Sequence, residues 1–467
     1  MNDKRKLDST ILREYDIRGI VGESLKVEDV RSIGRAFGSI VIDQMGSKLA
    51  PTVAVGYDGR LSSVEFSDAM CSGLEAAGID VTNVGCGPTP MLYYATHELS
   101  SDAGVMITGS HNPENYNGIK LVLAGKPFFG ADIQRLGKKV EVGDFKHGLG
   151  TIRKHNLEAK YIRRLLQDFS GEKELSIAWD PGNGSSGEIV QELIKSLPGE
   201  HFLINEKIDG KFPAHHPDPT VESNLAQLKD LVIENSCDLG IGFDGDGDRI
   251  GLIDAHGRVL WGDQILVLLA RDVLKYNPGE TIIADVKASK VFFDEITKAG
   301  GKPVMWASGH SLIKSKMLEL NAPLAGEMSG HIFFADKYFG YDDAIYAAIR
   351  LLTILSNSDE TLTEMHDKLP KTLNTPELRI DCPEERKFDV IKEIKRRLSN
   401  VDNITVSNID GVRVESKEGW WLIRASNTQA VLVARCESTT DVGLSFLKKQ
   451  IRVQLSASGI AVPVELN

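Results

Sequence analysis

Long apolar runs are missing from this 467-residue chain. A helix that crosses a bilayer needs about 20 consecutive apolar residues, and the longest run here, residues 265–270, is only of core length. The basic start, Lys4-Arg5-Lys6, has no apolar stretch after it, so no secretory signal is expected. Cysteine is scarce. Cys71, Cys86, Cys237, Cys382 and Cys436 are odd in number and show no metal or redox spacing, which points to reduced thiols and a cytoplasmic setting. Positive charge is also in deficit. A net charge of −12 argues against nucleic acid or an anionic membrane as partner. It leaves an anionic small molecule open, because a few Arg and Lys with a metal can reverse the potential inside one cleft. No low-complexity segment is present and no obligate protein partner is evident.

What is present is ordinary globular composition, 42% hydrophobic and 26% charged, at a length that suggests three or four domains of roughly 100–200 residues. A pattern recurs three times. Apolar runs at 53–56, 175–179 and 281–284 end in Asp58-Gly59-Arg60, Asp180-Pro181-Gly182-Asn183-Gly184 and Asp285-Val286-Lys287-Ala288-Ser289. Helical patterns follow, at 64–78 and 188–197 for the first two. Strand, polar turn and helix make the unit of an α/β fold. Each repeat then has a second polar loop after a short apolar run: Thr108-Gly109-Ser110-His111-Asn112-Pro113, Asp244-Gly245-Asp246-Gly247-Asp248-Arg249, and Gly326-Glu327-Met328-Ser329-Gly330-His331. Ligands of open α/β sheets bind beside the C-terminal strand ends, so three such loop sets can surround one cleft.

The last hundred residues differ. The stretch 366–376 is polar with two prolines and reads as a linker. After it come a helix at 385–398, strands at 411–415, 420–424 and 430–436, and a final helix at 441–455. The expected fold is three topologically similar α/β domains plus a smaller C-terminal α+β domain around a central cleft, divided at 1–155, 156–258, 259–368 and 369–467.

Asp244, Asp246 and Asp248 alternate with glycine directly after a strand, an arrangement that lets three carboxylates converge on one hard cation. An EF-hand does not fit, since its sixth position would be Arg249 and its twelfth Ala255. Two unit charges 4 Å apart repel by about 4 kcal/mol at an effective dielectric of about 20, so three converging carboxylates need a counter-ion. Oxygen-only ligation suits Mg²⁺, Mn²⁺ or Ca²⁺. The Ser110 loop is not a Gly-x-Ser-x-Gly elbow, which argues against a serine hydrolase. It reads either as a capping serine before a proline or, with a metal and basic loops, as a phosphoryl carrier.

These motifs, in this order and spacing, resemble the α-D-phosphohexomutases, and with Arg424-Ala425-Ser426-Asn427-Thr428 and Glu14-Tyr15-Asp16-Ile17-Arg18-Gly19 the similarity covers nearly the whole chain. Within the family it is most like the bacterial phosphomannomutase/phosphoglucomutase branch. The resemblance implies a heart-shaped molecule of four domains around a central cleft. It implies Mg²⁺ held by Asp244, Asp246, Asp248 and an oxygen of phosphorylated Ser110, with Arg18, His111, Lys120, Arg249 and His331 around the transferring group. Glu327 and Ser329 match the loop that reads sugar O3 and O4. Arg424, Ser426, Asn427 and Thr428 match the loop that grips the non-reacting phosphate, and Tyr15, Lys287 and His310 match further ligand contacts. The implied reaction interconverts hexose 1-phosphate and hexose 6-phosphate, of mannose and glucose, through a hexose 1,6-bisphosphate that turns over in the cleft and also serves as activator. Lys120 and His331 are the candidates for the proton transfer. Met328 fits the mannose/glucose pattern, where phosphoglucosamine mutases usually have Gln. The rival readings are a phosphoglucosamine mutase, a metal-dependent sugar phosphatase and a non-catalytic binding protein.

Overall fold

The three repeats build three sheets with one strand order. This computed structural model describes residues 4–46, 48–427 and 429–466. In the second sheet the order is Gly199–Leu203, Leu175–Asp180, Leu239–Phe243, Ile250–Asp254, Val259–Leu260, with the first three parallel and the fourth turning back as a hairpin. The third sheet repeats this as Lys302–Trp306, Thr281–Asp285, Leu324–Gly326, Ile332–Phe334, Tyr341–Asp342. The first has the same centre, Asp80–Cys86, Thr52–Tyr57, Ala103–Ile107, Tyr116–Leu123. Ile152–Lys154 is added at one edge and Ile17–Ile20 at the other. Its parallel core strand Ala103–Ile107 is buried throughout, which explains its unbroken apolar run.

The shared topology places one turn of each repeat alike. The Ser110 loop, the Asp244–Asp248 loop and the Glu327 loop all lie between the third parallel strand and its antiparallel return. All three therefore leave the sheet at the same end.

The fourth sheet is wholly antiparallel and runs Leu373–Asn374, Val431–Ser438, Gly419–Ala425, Val412–Ser416, Thr405–Ser407, with Leu378–Asp381 also on Val431–Ser438. Helices Lys387–Leu398 and Asp441–Ala457 cover one face through Val390, Ile394, Leu447 and Ile451; Thr440 caps the second by accepting from the Gly443 amide. The opposite face carries Trp420 and Leu422 against Val286. Arg413 stacks 3.7 Å from the Trp420 ring centre and donates to the Val286 and Ala288 carbonyls at 2.7 and 2.8 Å. The C-terminal domain is thus seated on the turn that bears Lys287.

The second and third repeats share one core, in which Trp179 and Ile241 join Leu266 and Ile345. Two expectations change. The helix expected over 188–197 is α-helical only over Gly187–Leu193 and ends as a 3₁₀ turn, Ile194–Ser196, because the residue before Pro198 disfavours the helical conformation. The stretch 366–376 is not all linker: Asp367 ends a helix, Leu369 is buried, and Leu373–Asn374 is already a strand of the fourth sheet. None of the described helices is long and apolar enough to cross a membrane.

Candidate active site

Strand Leu239–Phe243, buried at every residue, delivers Asp244, Asp246 and Asp248 to one point, and all three are fully buried. Asp244 Oδ1 accepts from the amides of Asp248 and Arg249 at 3.0 and 3.1 Å, which closes the loop on itself. Asp246 Oδ2 accepts from Thr89, from Thr108 at 3.1 Å and from the Lys120 ammonium at 2.7 Å. Lys120, brought across by strand Tyr116–Leu123, also bonds Asp248 Oδ2. The remaining oxygens, Asp246 Oδ1 and Asp248 Oδ1, are buried and accept no hydrogen bond, although Asp248 Oδ1 lies 3.6 Å from His331 Nδ1. Carboxylate oxygens of the three residues lie within 4.8 Å of one another.

The electrostatics are those of an undercompensated anion cluster. Burial, then Asp246 and Asp248, pushes Asp244 well above the ordinary carboxylate range. Burial also opposes charge on Asp246, but Lys120 and Thr89 hold it below that range. Burial disfavours the Lys120 ammonium, yet Asp246 and Asp248 keep its pKa well above the ordinary lysine value. Buried unpaired oxygens beside like charges fit a hard divalent cation. A second cluster, Asp248, His331 and Asp342, is equally close. Arg249 Nε donates to His331 Nε2 at 3.0 Å, so the ring proton sits on Nδ1, 3.1 Å from Asp342 Oδ2. That nitrogen has no lone pair for a metal.

Ser110 faces the trio. Its Oγ lies 2.9 Å from Asp244 Oδ2 and 3.1 Å from His111 Nδ1. The single hydroxyl proton goes to the carboxylate, so the imidazole donates from Nδ1. Burial, then Arg249, Arg18, His331 and Lys120, pushes the His111 pKa well below its usual value, which leaves the ring neutral. Arg18, on edge strand Ile17–Ile20, bonds Asn112 and Asp16. Arg249 and His331 form a bridge between the second and third repeats.

Across a cleft of about 1460 Å³ lies a second polar group. Glu327 Oε1 accepts from the Gly309 amide at 2.7 Å; burial raises its pKa, with Asp285 adding and His331 opposing. Arg424 Nε donates to Asp410 at 2.8 Å, and the same oxygen accepts from the Ser308 amide at 3.1 Å. Lys287 Nζ is 3.2 Å from Glu377. The Tyr15 hydroxyl donates to Ser308 O at 2.7 Å and receives Asn427, so it joins the first, third and fourth domains. His310 begins helix His310–Leu320, and its ring stacks on His331 with centres 5.7 Å apart. Ser329 and Ser426 line the same cleft. Ser110, Lys120 and the three aspartates lie buried behind its floor, and Thr428 lies outside the described residues.

Four family models match in chain order: the phosphoglucomutase/phosphomannomutase alpha/beta/alpha domain I over residues 9–147, domain II over 159–257, domain III over 261–373 and the C-terminal domain over 377–453. The chain belongs to the phosphoglucomutase/phosphomannomutase family. It is 43% identical over 459 residues to a phosphomannomutase/phosphoglucomutase of Pseudomonas aeruginosa, with 98% of each chain covered. It is 39% identical over 451 residues to a phosphoglucomutase of Neisseria gonorrhoeae, covering 96% of this chain and 97% of the relative. A solved phosphoglucomutase/phosphomannomutase family protein from Burkholderia thailandensis superposes with a TM-score of 0.92 at 39% identity, over 98% of this chain and 100% of the other. This family member is an enzyme of the α-D-phosphohexomutase superfamily.

Three of its site residues escaped the sequence reading. Asp342 sits beside His331, Asp410 holds Arg424, and Arg60 reaches the Ser110 loop from below. Asp342 and Asp410 stand outside any Gly-rich loop. Arg60 did lie in a repeated turn, Asp58-Gly59-Arg60, and that recurrence was the one available signal. His215 Nε2, one residue before His216, bonds Asp180 at 2.8 Å.

Proposed function

We propose that this enzyme interconverts hexose 1-phosphate and hexose 6-phosphate by passing a phosphoryl group through Ser110, with mannose and glucose as the sugars. The observation that carries the reading is the Ser110 hydroxyl, 2.9 Å from Asp244 in a buried carboxylate trio with two unpaired oxygens. Arg249, next to that trio in the chain, lines a cleft that is also lined by Arg424 and Lys287. Asp244, Asp246, Asp248 and the Ser110 oxygen would hold Mg²⁺, which when bound polarises P–O bonds and offsets charge on the leaving phosphoryl group.

The residues divide the remaining work. Arg424, with Ser426 and Asn427, presents donors to the phosphate that does not react. Glu327 is acceptor-only when ionised and suits two neighbouring sugar hydroxyls. A loop that reads O3 and O4 is blind to C2, where glucose and mannose differ. Arg18 and Arg249 face the transferring group. We assign proton transfer to His331 rather than Lys120. Lys120 is locked between Asp246 and Asp248 and keeps its proton, whereas His331 has Nδ1 3.1 Å from Asp342 and an Nε2 lone pair that accepts from Arg249 here and is freed to take a proton when Arg249 turns to the transferring phosphate. His331 accepts the sugar hydroxyl proton as Ser110 gives up its phosphoryl group, and returns it after the bisphosphate has turned.

The five free thiols support a cytoplasmic setting, and the basic groups Arg424 and Lys287 in the cleft support a small phosphosugar as partner despite the net charge of −12. The test is a turnover assay on mannose 1-phosphate, glucose 1-phosphate and glucosamine 1-phosphate with Mg²⁺ and a trace of glucose 1,6-bisphosphate. Both 6-phosphates and free phosphate are followed. Conversion of the first two without phosphate release, lost in Ser110→Ala, is the expected result. Phosphate release without any 6-phosphate, or activity retained by Ser110→Ala, would overturn the reading.

A further inference from the structure

Ser110 reaches Asp244 from an uncommon backbone conformation. Its φ is +49°, a left-handed conformation that a residue with a side chain adopts only where its surroundings impose it. The loop from 108 to 115 sits outside the ladder of its hairpin, so its carbonyls need donors from elsewhere. Backbone amides serve Gly109, Pro113 and Asn115, and one side chain reaches Ser110, Asn112 and Pro113 together with the first carbonyl of the return strand. Arg60 Nη2 donates to the carbonyls of Ser110 and Asn112 at 2.7 and 2.6 Å. Arg60 Nη1 donates to those of Pro113 and Tyr116 at 2.6 and 3.0 Å.

The guanidinium is itself buried between Asp58 and Phe212. Its Nε lies 3.2 Å from Asp58 Oδ2, and its side chain is 0% exposed. The same Asp58 oxygen accepts from the Gly109 amide at 3.0 Å. Phe212, from the second repeat, lies over the guanidinium at 5.1 Å. The fit leaves no slack, since a Cβ on Gly109 would stand 2.4 Å from Arg60 Nε. Three of the four carbonyls belong to the loop that bears the serine and the fourth, Tyr116, opens the strand that leaves it, and a planar fork with fixed donors defines their relative positions as an ammonium cannot.

We propose that Arg60 is a positioning residue for phosphoryl transfer: through these four carbonyls it holds Ser110 in the left-handed conformation that aims Oγ at Asp244. The proposal rests on the reading of Ser110 as the phosphoryl carrier. Arg60 touches neither the sugar nor the transferred group. Its loss lets the serine swing while the cleft that binds the sugar keeps its shape.

The test uses the full chain, stripped of phosphate and reloaded with Mg²⁺, as wild type, Arg60→Lys and Arg60→Met. Single-turnover transfer from glucose 1,6-bisphosphate to Ser110 is followed by intact mass, glucose 6-phosphate affinity by calorimetry, and folding by thermal melting. A misplacement of about 1 Å can slow a reaction about 10²-fold. The expected result is transfer slowed by about that factor in Arg60→Met and by less in Arg60→Lys, with sugar affinity held within about twofold. Transfer at the wild-type rate in a folded variant would overturn the proposal. So would affinity, melting temperature and rate falling in parallel, which is the signature of a purely structural residue. If Arg60→Met does not fold, Arg60→Lys is judged by the same criteria. A wild type that takes up no phosphoryl group would instead refute the assignment of Ser110, which separates the two failures.

Discussion

Replacing Lys120 by Met removes the ammonium from between Asp246 and Asp248, to which it is bonded in a site where all three side chains are at most 4% exposed. Taking one partner from a buried ion pair costs about 3–5 kcal/mol, because the other charge is left uncompensated. Here two carboxylates are stranded, and Asp244 is already crowded by both. At about 2–4 °C per kcal/mol for a unit of 150–250 residues, the melting temperature in EDTA should fall by about 6–20 °C. A cation bound by the same trio would replace the missing charge. Binding linkage contributes about 2.7 kcal/mol at a metal concentration of 100 Kd, so Mg²⁺ should restore half or more of the loss. The assay is thermal melting of wild type and Lys120→Met in EDTA and across a Mg²⁺ series. An equal deficit at every Mg²⁺ concentration would show that the trio does not take the cation. No deficit in EDTA would show that Lys120 is not what neutralises it.

Arg424→Lys keeps the charge but loses the planar fork, and charge-assisted hydrogen bonds contribute about 1.5–3 kcal/mol. KM for the hexose phosphate should rise by about 10–100-fold with kcat changed far less, as steady-state kinetics would show. Gly309→Ala should do something similar by displacement, since φ is +131° and the new Cβ would lie 2.5 Å from the Tyr15 ring. We expect a folded protein with weakened sugar affinity by calorimetry; unchanged affinity would mean that Tyr15 is dispensable. Glu377 has its pKa lowered from 4.5 to about 2, chiefly by Lys287. A depressed carboxylate contributes stability that is complete above pH 4.5 and disappears as pH falls toward 2. The difference in unfolding free energy between wild type and Glu377→Gln should therefore be largest above pH 4.5 and shrink below it in urea titrations.

Much of this architecture could be read before any coordinates, for a physical reason. Apolar strands that end in Gly- and Asp-rich turns signal themselves, and three such sets recurring in order predicted three α/β repeats whose loops converge. The aspartate trio and the Ser110 loop were legible for the same reason: chemistry concentrated in a short loop after a strand leaves a dense local pattern. What was hidden acts at a distance. Asp342 is 11 residues from His331 in sequence and meets it only because strands Ile332–Phe334 and Tyr341–Asp342 pair. Arg60 bonds backbone carbonyls, which any residue provides, so no partner residue type marks its role. The shared core of the second and third repeats was equally invisible, because a buried leucine looks the same whichever sheet it fills. The linker was overread for a related reason. Prolines at 370 and 376 mark the ends of regular structure but do not say that the residues between them pair with Val431–Ser438.

The common position of the three hairpin turns has a consequence for how such a protein can change over time. One strand order, and the socket it makes, recurs three times, and on the proposed function each recurrence carries a different tenant: a nucleophile, a cation cage and a sugar reader. Because the socket is defined by strand order and not by its contents, a tenant can be exchanged while the wall around it stands. Divergence among descendants should therefore gather in the turns, with the third loop the most permissive if, as proposed, it meets the part of the sugar that does not react.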